Sequence, residues 1–193
     1  MLRTLERLLS LRRGERGRAL LLFLYLFLVL STYVGGKAMR DALFLAYYKA
    51  GQLPYADISV ALLVGILIAV YMRVRQQLNL LTLLVGSLLF FSSNALVLWW
   101  LGHRYDYPWV AVVTYIWVGM FGVIAPAQVW TLANYVLTLR EAKRLFGVIG
   151  SGAILGWVVG GLMTSTTARR FGAENTLLAM AVALALCAVL VIA

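Results

Sequence analysis

Apolar runs of roughly 16 to 25 residues follow one another along this chain with only short polar breaks, the length that a hydrocarbon layer about 30 Å thick demands of a spanning helix. Inside such a layer every backbone N–H and C=O must be satisfied within the protein, so only helices and closed barrels cross it. The runs are too long and too continuous for barrel strands, and none alternates apolar with polar residues. Composition agrees. With 63% of the 193 residues hydrophobic and 12% charged, the chain has too little polar side chain to cover a water-soluble domain. The expected fold is all-α, a polytopic membrane protein with six transmembrane helices near 19–48, 56–72, 78–101, 109–139, 145–167 and 175–193. These form one domain, 19–193, behind an amphipathic segment, 1–18, in which Leu2, Leu5, Leu8 and Leu9 oppose Arg3 and Arg7 as in a helix lying on a membrane surface, with Gly14 and Gly17 ending it.

Basic residues orient the bundle. Six arginines before residue 19, Arg73 and Arg75 after the second run, and Arg140, Lys143 and Arg144 after the fourth place eleven cations on one side. Lys37, Arg40, Lys49, Arg104, Arg169 and Arg170 place six on the other, so the positive-inside rule puts both ends of the chain in the cytoplasm and the turn at 102–108 outside. The net charge of +10 follows largely from this asymmetry and requires no nucleic-acid partner; the partner it implies is the lipid bilayer. A cleaved signal peptide over 1–36 competes poorly, because no A-x-A-like site follows the apolar run and five further runs remain. Cys187, the only cysteine, leaves the redox compartment open.

One stretch breaks the apolar pattern from within. In "YVGGKAMRDALFLAYY", residues 33–48, helical spacing gathers Tyr33, Lys37, Arg40, Asp41, Phe44 and Tyr48 into a stripe about 100° wide. A helix over 19–48 is roughly 45 Å long, which places these charges past its middle. An ionised side chain there costs about 3 kcal/mol or more unless it faces water or a partner, so three together suggest a wet cavity, and Asp41 offsets only one of the two cations. The plain alternative ends the helix near Gly35-Gly36 and leaves the charges in an interfacial loop, with Lys37 and Asp41 as an ordinary i, i+4 pair.

A second stretch, Trp130 to Gly161, carries Gly152, Gly156 and Gly160 at four-residue intervals, a pattern that lets two helix backbones approach closely. Gly150-Ser151-Gly152 misses the dinucleotide-binding glycine fingerprint by one residue and has no strand before it, so the expected role is packing, with no cofactor. Arg140, Glu141, Lys143 and Arg144 form the cytoplasmic link before it, Glu141 suiting a helix start. Asn134 shares a helix side with Thr131 and Thr138, about 120° from Gln128, and is the better cavity candidate of the two, an interhelical hydrogen bond being its plain alternative. His103 is the only histidine, and the acids are dispersed. Neither a metal centre nor a histidine-based triad is expected, nor any enzyme activity.

"WTLAN" at 130–134 and "EAKRLFGVIGSGA" at 141–153, together with "KAMRDALFL" at 37–45, resemble elements of the ATP/ADP translocases of plastids and intracellular bacteria and their wider bacterial relatives. The resemblance implies a fold of the major facilitator type, of which this chain would be the N-terminal six-helix half, joined to a C-terminal half and exchanging nucleotides by alternating access in a bacterial inner membrane. It also implies a substrate site near the bilayer midplane. By that likeness Arg40, directly before the aspartate, meets phosphate oxygens with a two-point guanidinium fork, Lys37 adds a point charge, Asp41 holds the pair, and Tyr33 and Asn134 join the site. "YMRVRQQLN" at 71–79 lacks the loop pattern of sugar and drug transporters in the wider superfamily. The competing class is a membrane anchoring or signalling domain that keeps this fold without transport.

Overall fold

The computed structural model describes residues 16–105, 107–172 and 175–192, and among these every regular element is helical. Among the described residues six α-helices follow in order: α1 Arg16–Tyr47, α2 Leu53–Arg75, α3 Leu80–Arg104, α4 Pro108–Val136, α5 Leu139–Phe171 and α6 Thr176–Ile192, with a 3-10 turn at Ala50–Gln52 leading into α2. The first five are long and apolar enough to cross a membrane; α6 is equally apolar but has 17 residues. Most of the amphipathic segment at 1–15 lies outside the described residues.

Local chemistry fixes the breaks. Asn79 caps α3 by accepting the backbone N–H of Thr82 at 2.7 Å, and Pro54 and Pro108 stand in the first turns of α2 and α4, where no N–H is needed. Thr138 and Glu141 close a reciprocal capping box on α5, and Gly172, with φ of 87°, ends that helix in a conformation other residues avoid.

Three expectations need correction. Gly17 lies within α1, among its first described residues, where a break was expected, because a single glycine is tolerated in a helix. The loop alternative for the charges at 37–41 falls, because α1 runs unbroken through Gly35 and Gly36 and carries them as the helix over 19–48 requires. The basic cluster at 140–144 is no link but the opening of α5, because the capping box starts that helix at Leu139.

α1 is the central helix, packed against α5, α4 and α6, while α3 pairs with α6 and α2 leans chiefly on α4. Between lipid-immersed helices apolar burial offers little, so close packing and hydrogen bonds carry the association. The α1–α5 contact shows how. A Cβ on Gly152 would stand 2.6 Å from the Phe23 carbonyl oxygen, one on Gly156 2.7 Å from that of Phe27, and one on Gly160 2.7 Å from that of Ser31. Ser31 also donates to the Gly156 carbonyl at 3.1 Å. The three glycines thus seat α5 on the backbone of α1, the packing role expected of their spacing. Ser92 similarly ties α3 to α6 by donating to the Ala181 carbonyl at 2.8 Å. Large apolar side chains such as Leu62, Ile66, Phe90 and Val189 remain exposed around the outside, as a lipid-facing surface requires.

Candidate functional site

The charge stripe of α1 divides across a burial boundary. Arg40 is only 6% exposed, Asp41 is half-buried beside it, and Lys37 is exposed one turn earlier, with Tyr33 half-buried a further turn back. At the i, i+4, i+8 spacing Tyr33, Lys37 and Asp41 share one edge of α1, and Arg40 turns inward from it.

Every edge of the Arg40 guanidinium is occupied. Its Nε donates to Asp41 Oδ1 at 3.2 Å, Nη2 lies 3.9 Å from Asp57 Oδ1, and Nη1 reaches the Tyr115 carbonyl oxygen at 3.5 Å. The plane sits over the Tyr115 ring, 4.1 Å from its centroid, and the Tyr115 hydroxyl donates to Asp57 Oδ1 at 2.8 Å. Residues of α1, α2 and α4 therefore close one cluster: a buried cation, two partly exposed carboxylates and a phenol. Such a cation is held by charge-assisted hydrogen bonds and by the negative face of the ring. Two glycines of α4 admit neighbouring side chains: a Cβ on Gly119 would stand 2.6 Å from Val60 Cγ1 and 3.0 Å from Arg40 Nη1, and one on Gly122 would overlap the Tyr33 ring.

Asp57 and Tyr115 were missed by sequence reasoning. The signal for Asp57 was present: it is the one acid at the head of the second apolar run, in a chain whose first run carries a cation in excess. With it counted, Lys37 and Arg40 face Asp41 and Asp57, and the surplus positive charge inferred from α1 alone disappears. Tyr115 carried no signal, since an aromatic ring in an apolar run is ordinary.

The remaining candidates are placed as follows. Phe44 is buried and stacks on Tyr48 with centroids 4.8 Å apart, its other neighbour being Tyr115 at 5.1 Å, so these rings pack on one another. Tyr33 meets Trp157 of α5 edge-on at 6.3 Å. Asn134 is exposed and donates to the carbonyl of Trp130 in its own helix at 2.9 Å. It stands twelve residues beyond Gly122, roughly 18 Å along α4, so it is not brought together with Lys37 and Arg40. Gln128 is buried in α4 and donates to Ser87 Oγ at 2.6 Å and Tyr71 Oη at 3.3 Å, tying α4 to α3 and α2. Among the described residues no group of His, Cys, Asp and Glu is arranged to hold a metal ion.

No protein-family model, no curated protein and no solved structure matches the chain.

Proposed function

We propose that these helices form one half of a transporter of the major facilitator type, completed by a second six-helix half, that moves nucleotides or related phosphorylated anions by alternating access. The carrying observation is the cluster on α1: a buried Arg40 clasped by Asp41 and Asp57, with Lys37 exposed on the adjoining edge. Charges of this kind within apolar helices belong on a substrate path, because an unhydrated ion is too costly to keep there for packing alone. Lys37 is the first contact for a phosphate. Arg40 is held in reserve by carboxylates that an entering polyphosphate displaces, exchanging one set of charge-assisted hydrogen bonds for another.

A specific observation favours a second reading. The four charges sum to zero and the Phe44, Tyr48 and Tyr115 rings are engaged with one another, which suits a structural brace in an anchoring or signalling domain. Chemical access separates the two. In the full-length protein, Lys37→Cys reacts with a charged methanethiosulfonate reagent, and millimolar ATP slows that reaction at least about fivefold whereas adenosine does not. An inert cysteine, or one that ATP fails to protect, removes Lys37 from a substrate path and favours the brace.

Orientation is tested separately. Tyr107, exposed between α3 and α4, is placed outside by the basic asymmetry, and Cys187 is fully buried. Tyr107→Cys in a Cys187→Ala background is therefore labelled by an impermeant thiol reagent in intact cells. Labelling only after lysis reverses the topology.

A further inference from the structure

α5 and α6 diverge where both lean on α1, leaving a cleft of about 120 Å³ between the three helices. Its deep end is apolar, lined by Phe27, Leu28 and Ala183. Its upper end carries hydroxyls: Thr32 and Thr176 are 6% and 4% exposed, border the cleft, and have no hydrogen-bond partner for Oγ1 among the described residues. Thr164 has given its proton to the Gly160 carbonyl at 2.7 Å and can only accept there. Unpartnered hydroxyls buried to this degree call for a ligand or water able to bond them. The volume lies close to that of a cavity that takes a benzene-sized molecule, about 150 Å³, which fits a short length of hydrocarbon.

Charge extends the pattern beyond the cleft. Met163 and Thr167 line it from α5, and Arg170, seven and three residues further on, falls on the same face of that helix and is exposed about one turn above Thr167. From the bundle interior toward the end of α5 the order is therefore apolar wall, buried hydroxyls, cation. A diacyl phospholipid presents the same order of partners: acyl chain, ester carbonyls that accept from hydroxyls, and a phosphodiester anion.

We infer that the α1–α5–α6 cleft holds one acyl chain of an anionic phospholipid, whose ester carbonyls accept from Thr32 and Thr176 and whose phosphodiester pairs with Arg170. The site is distinct from the Arg40 cluster and requires the membrane location but no transport. A neutral zwitterionic lipid forms the same chain and ester contacts, yet its own ammonium competes with Arg170 for the phosphate, so preference follows net headgroup charge.

The test uses full-length protein purified in mild detergent and incubated with mixed micelles of phosphatidylglycerol and phosphatidylcholine, with bound lipid counted by native mass spectrometry. The expected result is one tightly retained phosphatidylglycerol per chain, preferred at least about fivefold over phosphatidylcholine. Arg170→Gln abolishes the preference. Ala179→Phe, which fills the cleft from an exposed position on its wall, lowers retention of both lipids. Arg104→Gln, which removes an exposed cation at the end of α3, changes neither. Equal retention of the two lipids by the unmodified protein, unchanged retention in Ala179→Phe, or displacement of the lipid by millimolar inorganic phosphate each overturns the assignment.

Discussion

Gly156→Leu should nearly abolish folded protein. The Cβ of any residue at 156 would stand 2.7 Å from the Phe27 carbonyl oxygen and 3.3 Å from the Ser31 backbone nitrogen. Both are backbone atoms of α1, so no rotamer change relieves the overlap and the two helices must separate. Separation also breaks the Ser31 to Gly156 hydrogen bond and the neighbouring seats of Gly152 and Gly160. Overpacking at one site costs about 3 kcal/mol at the upper end of the usual range, and loss of the whole contact adds to it. Gly147→Leu on the same helix is the control, since nothing stands within 4 Å of a Cβ there. Size-exclusion profiles of the detergent-solubilised proteins should show a monodisperse peak for the control and aggregate for Gly156→Leu. A normal peak for Gly156→Leu would mean that α5 does not sit on α1 as described.

The second large effect appears only in combination. Asp41 and Asp57 each neutralise Arg40, and their side chains are 38% and 62% exposed, so either alone contributes little, about 1 kcal/mol. Asp57→Asn leaves Asp41, and Asp41→Asn leaves Asp57. Removing both charges strands a guanidinium whose side chain is 8% exposed, with only a carbonyl and a ring for company. A buried charge robbed of its counter-ions costs about 3 to 5 kcal/mol. Asp41→Asn with Asp57→Asn should therefore lower the unfolding midpoint far more than the two single changes added together, a coupling that a double-mutant cycle reads directly. Adding Arg40→Met to the pair should recover most of the loss, because the stranded charge is gone. Additive losses, or no recovery with Arg40→Met, would show that the three residues do not act as one cluster.

The helices and the inward glycine face were legible in the sequence because each rests on a local rule. Length and apolarity mark a span whatever its neighbours, and the four-residue spacing of Gly152, Gly156 and Gly160 announces a close approach without saying to what. That the partner is α1 depends on tertiary packing, for which Phe23, Phe27 and Ser31 give no sign. The same limit applied to the charges. Lys37, Arg40 and Asp41 stood out because they share one apolar run, whereas Asp57 and Tyr115 reach Arg40 from seventeen and seventy-five residues away and carry no common period. Asn134 and Gln128 show the converse. Their separation on the α4 surface followed from helix geometry, but which of them entered the interior was settled by Tyr71 and Ser87 on other helices.

Exchange of a labelled nucleotide tests the central claim most directly. Full-length protein reconstituted into liposomes loaded with ADP should take up external labelled ATP, and uptake should cease when the internal ADP is omitted. Arg40→Gln should abolish uptake while inserting normally, because Asp41 and Asp57 are exposed enough to stay hydrated without their cation. Lys37→Gln should weaken it at least about tenfold, the loss of roughly one charge-assisted hydrogen bond to phosphate. No uptake by the unmodified protein of ATP or of any other phosphorylated anion, or full uptake in the Arg40→Gln variant, would contradict the account and leave the cluster as a brace between α1, α2 and α4.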